Sequence, residues 1–238
     1  MELLYMGFYY VWDPTYILVI IGLLLTLGAS GLVNATYAKY KKQYCMSGLT
    51  GAQAAERILR GAGITDVQIR HISGNLTDNY NPSTKVLSLS DSVYNSNSVA
   101  AVGVAAHECG HAIQHAKEYA PIKVRSALVP VVNIASYASW PAILLGVFMS
   151  WNQGLITLGI ILFSASVLFS LVTLPVEFDA SHRAIKILDQ SGILSTREVG
   201  QAKKVLGAAA LTYVASAAAM ILQLLRLILI FGGDDRKK

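Results

Sequence analysis

Charged residues make up only 14% of this 238-residue chain, where soluble globular domains carry roughly a quarter. That scarcity, together with 54% hydrophobic residues and a mean hydropathy of +0.49, argues against an ordinary soluble domain and makes a membrane protein the first expectation. Cysteine is scarce as well. Cys45 and Cys109 are the only two, and their spacing suggests neither a disulfide framework nor a thiolate zinc site. They read as small buried hydrophobes in a reducing compartment. Internal repeats and low-complexity segments are missing too. Ahead of the first apolar run stand Glu2 and Asp13 but no Lys or Arg, which argues against a cleavable signal peptide, whose leading region is basic.

What the chain does have is long uncharged runs. Tyr16 to Val33 can cross a bilayer as a helix. Ala127 to Met149 and Leu155 to Leu174, joined by the WNQG turn at Trp151 to Gly154, read as a transmembrane hairpin, and a fourth run extends from Leu206 to Phe231 with Arg226 inside it. The formal charge of +5 is spread between these runs. Residues 38 to 125 hold ten of the nineteen Lys and Arg side chains, and 177 to 204 hold five more. Positive-inside topology therefore accounts for the basic residues, with the N-terminus outside and both polar segments cytoplasmic, and no nucleic-acid partner is expected. The fold class expected is mainly α: a single membrane-embedded domain over residues 1–238, about four transmembrane helices, and a small α+β cytoplasmic element carrying the functional helix.

Within that element Thr50 and Gln53 form a capping box for a short helix ending at Gly61 and Gly63. DVQIRHI, Asp66 to Ile72, and KVLSLS, Lys85 to Ser90, alternate apolar with polar residues as half-buried strands do, and NYNPS at Asn79 to Ser83 reads as the turn between them. STRE at Ser195 to Glu198 is a second capping box, opening the last helix near Thr196.

Three of the five histidines, His107, His111 and His115, fall within nine positions in AAHECGHAIQHAKE. On a helix, His107 and His111 share a face about 6 Å apart along the axis, which suits two imidazole nitrogens on one zinc ion. Glu108 is rotated by about 100° from His107 and so addresses a neighbouring water rather than the metal, as the base of a metal-assisted hydrolysis must. His115 lies about 12 Å beyond His107 along a straight helix and cannot join the same ion. It reads as an orienting or surface residue, and His71 as structural. A third ligand must come from the same side of the membrane, and Glu177, Asp179 and His182 are the only clustered ligand-type side chains where the third span exits. A carboxylate there is costly unless paired or metal-bound.

HECGH with a downstream EFDASHRA resembles the YugP-like neutral zinc metallopeptidase family, distantly similar to the HtpX membrane proteases. NPSTKVLSLSDSVY and AKKVLGAAALTYVASAAAMILQLL extend the likeness over nearly the whole chain. The resemblance implies a gluzincin-like site, with His107, His111 and Glu177 as ligands of one Zn2+ per chain and Glu108 as base. The chain departs from the HtpX pattern at Ser181, where an Asp is usual, so Asp179 or Ser181 is expected to orient a ligand imidazole. His182 and Tyr213 are candidate donors to the oxyanion. KVLSLSDSV resembles the edge strand that many zinc proteases use to hold extended substrate, which makes Val86, Leu87, Ser88, Leu89 and Ser90 the candidate substrate-binding residues.

The function implied is a multi-pass zinc metalloendopeptidase of a bacterial plasma membrane, its active site facing the cytoplasm, with peptide or membrane-protein substrates and the lipid bilayer as partners. The alternative is a membrane metal-binding or transport protein without hydrolytic activity. Transport calls for polar residues inside the spans, and the first and third offer only Ser and Thr.

Overall fold

The computed structural model describes residues 13–232. Expectations for the residues ahead of the first span and for the basic C-terminal tail lie outside them. In chain order the described elements are α1 (Tyr16–Tyr40), α2 (Gly51–Gly61), β1 (Gln68–Ile72), β2 (Asn79–Asn81), β3 (Val86–Ser90), α3 (Val99–Ala116), α4 (Ala120–Phe148), α5 (Gln153–Gln190) and α6 (Thr196–Phe231). The fold is mainly helical, and α1, α4, α5 and α6 are long and apolar enough to cross a membrane. Pro130 and Pro141 lie inside α4 and Pro175 inside α5. Interior prolines of this kind are tolerated where neighbouring helices re-satisfy the freed backbone groups. The helix that holds the third apolar run continues past Leu174 through Glu177 to Gln190.

Contacts divide the chain into two compact units, and each of the four long helices contributes residues to both. The first unit comprises residues up to 28, 127–171 and from 213 onward. Its α4–α5 hairpin turns through Ser150 and Trp151, both with left-handed backbone (φ 55° and 63°), after which the Leu155 N–H donates to Asn152 Oδ1 at 3.2 Å to start α5. Further along, a Cβ at Gly159 would stand 2.7 Å from the Ser139 carbonyl oxygen, so only glycine lets the two helices close this far. Arg226, the charge inside the last apolar run, is not stranded there. It meets Asp13 at 3.8 Å and lies 4.2 Å from the Tyr16 ring centroid, an ion pair supplemented by a cation–π contact.

The second unit, residues 29–126 and 172–212, contains the sheet and α3. Thr50 caps α2 through the expected capping box with Gln53, and Gly63 after it has the left-handed φ of 74° that a helix exit requires. Strand order is β1-β3-β2. The two alternating segments do pair, but in parallel, Gln68 with Val86 through Ile72 with Ser90. The stretch expected as a turn supplies β2, antiparallel to β3, with Asn79 opposite Ser88 and Asn81 opposite Val86. Leu87 and Leu89 are fully buried and join α2 and α3 in one core with Ala54, Ile58, Val102 and Cys109. Both cysteines are free and buried, as expected. At the start of α6 the Ser195 N–H and Oγ–H donate to Glu198 Oε2 at 2.8 and 2.7 Å, while Glu198 Oε1 accepts the Met46 N–H at 2.7 Å. Only the half of the second capping box in which Glu198 reaches back to the Ser195 N–H is formed, since the Ser195 hydroxyl donates to the same carboxylate, and the carboxylate also ties α6 to the loop after α1.

Candidate metal centre

Helix α3 owes its form to an alanine-rich run opened by Ser98, whose hydroxyl accepts the Ala101 N–H at 3.2 Å. It presents His107 and His111 on one face, their ring centroids 4.8 Å apart and nearly perpendicular. Helix α5 brings Glu177 to the same place. The Nε2 atoms of His107 and His111 lie 3.3 and 3.6 Å from Glu177 Oε2, with side-chain exposures of 14%, 10% and 3%. One ligand atom from each of the three residues lies within 4.8 Å of the others.

These two helices can meet because of Gly110, the fourth residue of HECGH. A Cβ there would stand 2.6 Å from the Ala180 carbonyl oxygen, and any side chain would force α3 and α5 apart.

The donor set fits a metal. Glu177 Oε2 is buried and makes no hydrogen bond, an arrangement that costs about 1–3 kcal/mol or more for a charged group unless something else satisfies it. Both imidazoles meanwhile use Nδ1 elsewhere. His107 Nδ1 is 3.0 Å from Ser181 Oγ, and His111 Nδ1 is 3.0 Å from Gln114 Oε1. Each ring therefore keeps Nε2 for the point that the carboxylate faces. Two imidazoles and one carboxylate make the usual three-residue protein set of a catalytic zinc site, which leaves a position open to water or substrate.

Glu108 is buried beside them, 8% exposed. Burial pushes its carboxyl above the ordinary value against the opposing pull of His107 and His111, with Glu177 reinforcing the rise. A carboxylate with a raised pKa is a better proton acceptor near neutrality. His111 is also raised. Burial acts to lower it, but Glu177 and Glu108 outweigh burial.

Of the residues expected to orient the ligands, Ser181 contacts His107 directly. Asp179 does not touch an imidazole. It accepts from Gln114 Nε2 at 2.8 Å and pairs with Arg183. His182 is exposed and, five residues on from Glu177, projects about 140° around α5 from it. The helix that carries Glu177 thus turns His182 away from the ligand cluster. Tyr213 belongs to the other unit. His115 is taken up by Tyr80, with Nδ1 to Oη at 2.9 Å, and His71 by Asp91 at 2.7 Å, and neither belongs to the ligand cluster.

The reading of Val86, Leu87, Ser88, Leu89 and Ser90 as an edge strand needs correction. β3 is the middle strand, paired along its length with β1 and at residues 86–88 with β2, and the Ser90 N–H is taken by Asp78 Oδ1 at 2.7 Å. A strand with both edges occupied cannot pair with an added peptide. The outer edge of the sheet on this side is β2.

Two residues of the site carried no signal in the sequence. Gln114 sits where another zinc-protease pattern would have glycine, and Arg125, near the start of α4, places Nη1 3.5 Å from Glu177 Oε1. Both become visible only once α3, α4 and α5 are packed.

Comparison with known proteins agrees with this geometry. Residues 15–232 match the family model described as "Putative neutral zinc metallopeptidase". The chain is 45% identical over 220 residues, 89% of its own length and 97% of the relative's, to "Putative membrane protease YugP" of Bacillus subtilis. No solved structure matches it.

Proposed function

Since the chain belongs to the family described as putative neutral zinc metallopeptidases, we propose that it is a membrane-integral zinc endopeptidase of the gluzincin type. The observation that carries this reading is the buried, unbonded Glu177 Oε2 facing the Nε2 atoms of His107 and His111. A zinc ion held by these three residues would supply Lewis acidity, polarising the scissile carbonyl and making water acidic enough to attack near neutral pH. Glu108, its pKa raised by burial, takes the proton from the attacking water and delivers it to the leaving amine. Arg125 holds Glu177 from its other oxygen and is the cation nearest the ligand carboxylate, a better candidate than His182 for balancing charge at the reacting carbonyl. Extended substrate pairs with the outer edge of β2.

The fifteen Lys and Arg side chains in the two polar segments favour a multi-pass plasma-membrane protein with this site on the cytoplasmic side, acting on membrane or membrane-proximal proteins. Purified protein in detergent should bind about one zinc per chain and cleave an unfolded polypeptide. Glu108→Gln should keep the zinc and lose nearly all hydrolysis. Full turnover by that variant would remove the mechanism, and a protein that binds no zinc would remove the reading.

A further inference from the structure

We infer that Gln114 is a positioning residue that sets the tautomer of His111 and ties that ring to the helix carrying Glu177. The inference rests on the zinc site proposed above.

Gln114 is fully buried, and each polar atom of its amide is engaged. Nε2 lies 2.8 Å from the Val176 carbonyl oxygen and 2.8 Å from Asp179 Oδ2. Both are acceptors, since a backbone carbonyl carries no proton and Asp179 Oδ2 also takes the Nε–H of Arg183. Only an amide NH2 can satisfy two acceptors at once, so the orientation of the Gln114 side chain is settled by its surroundings.

Its oxygen must then be the atom 3.0 Å from His111 Nδ1. An amide oxygen cannot donate, so Nδ1 carries the proton and the lone pair of the neutral ring is on Nε2, the atom that faces Glu177. Ser181 cannot impose this on His107, because a hydroxyl donates or accepts equally well. The two ligand histidines are thus held differently, one by an adaptable hydroxyl and one by an amide that accepts a single tautomer.

The same side chain joins two ligands. It leaves α3 three residues after His111 and ends on the backbone carbonyl of the residue preceding Glu177. A neutral amide performs this role without adding a negative charge next to the ligands, and Asp179, which the amide contacts, is paired with Arg183.

Isosteric exchanges separate this role from packing. Gln114→Glu keeps the shape and an acceptor for His111 Nδ1 but sets its second oxygen against the Val176 carbonyl and Asp179 Oδ2, and that repulsion displaces the side chain from His111. In Gln114→Glu with Asp179→Asn, the new amide of residue 179 donates to the new carboxylate, which can again accept from His111 Nδ1. Zinc dissociation constants would be measured by chelator competition on the purified full-length chain, with melting of the metal-free protein recorded alongside. The single variant should bind zinc about 10–100-fold more weakly, and the double variant should recover most of that loss. Zinc affinity unchanged in Gln114→Glu overturns the inference while leaving the zinc site standing. A weakened affinity that the double variant does not restore also overturns it, and an accompanying fall in metal-free melting then assigns Gln114 to packing. Absence of zinc from the parent protein removes both the zinc site and the inference built on it.

Discussion

Gly110 and Ala180 are in backbone contact: a Cβ on the first would lie 2.6 Å from the carbonyl oxygen of the second. Gly110 stands between Glu108 and His111 on α3, and Ala180 follows Glu177 by one turn on α5, so this contact sets the separation of the ligand helices. Gly110→Ala should push them apart by a few tenths of an ångström or more. Overpacking of this kind costs about 1–3 kcal/mol, and the effect should fall on the metal as well as on the fold. We expect weaker zinc binding, strongly reduced hydrolysis and a lower melting temperature. Parent-like zinc affinity in Gly110→Ala would show that the helices have room to relax.

Because His107 and His111 lie on α3 and Glu177 on α5, a shared ion ties two helices separated in sequence by the α4–α5 hairpin. Binding free energy available only to the folded arrangement adds to stability. Glu177→Ala should therefore abolish hydrolysis and most zinc binding, and remove the increment in melting temperature that zinc gives the parent. The metal-free protein should melt close to the parent without metal, since loss of the Arg125 ion pair is offset by removal of a buried carboxylate oxygen with no hydrogen bond. Chelator titration and thermal melts with and without zinc measure both effects, and an undiminished zinc-dependent increment in Glu177→Ala would contradict the ligand assignment.

How far the sequence reached depended on whether a feature is local. The pair His107 and His111 was legible because the α-helical repeat places i and i+4 on one face, and the capping box of Thr50 because it is closed within four residues. The four long apolar helices were legible from length and lack of charge. Gln114, Arg125 and Gly110 were not, because their roles exist only where α3 and α4 pack on α5, and nothing within one helix reports its neighbour. The sheet failed for a related reason. Alternation marks Gln68–Ile72 and Val86–Ser90 as strands but does not say which strand lies beside which, and Asn79–Asn81 is too short for a periodic signal. Calling β3 an edge strand followed from its position before α3 in the chain, and the pairing of β2 overrides that order.

The carboxylate of Glu198 offers a test of the second capping box by pH. Burial would raise its pKa, but the donors from Ser195 and Met46 outweigh burial and hold it below the ordinary carboxylate value. A depressed folded pKa contributes stability that is present above the unfolded value of about 4.3 and is lost as pH falls through the lower folded value. Glu198→Gln keeps one acceptor oxygen but turns an NH2 toward a donor, leaving a hydrogen-bonding group unsatisfied at a cost of about 1–3 kcal/mol. At pH 7 the variant should melt several degrees below the parent, and the gap should narrow as pH is lowered below about 4. Parallel melting curves across pH 3 to 7 would show that the carboxylate's charge plays no part.

The sidedness of the chain can be settled by labelling, and the buried state of Cys45 and Cys109 makes the experiment clean, because neither native thiol competes for the reagent. Single cysteines would be placed at Ser47 in the loop after α1, at Gln190 at the end of α5, and at Asn152 in the hairpin turn, all three exposed. The first two lie in the segments that hold most of the basic residues, and the third lies between two apolar runs with no basic residue beside it. With the positive segments cytoplasmic, a thiol reagent that cannot cross membranes should modify the Asn152 probe in intact cells and reach the Ser47 and Gln190 probes only after permeabilisation. The opposite pattern would place His107, His111 and Glu177 on the outer side. The substrates would then be sought among exported proteins, although the chemistry assigned to Glu108 would be unaffected.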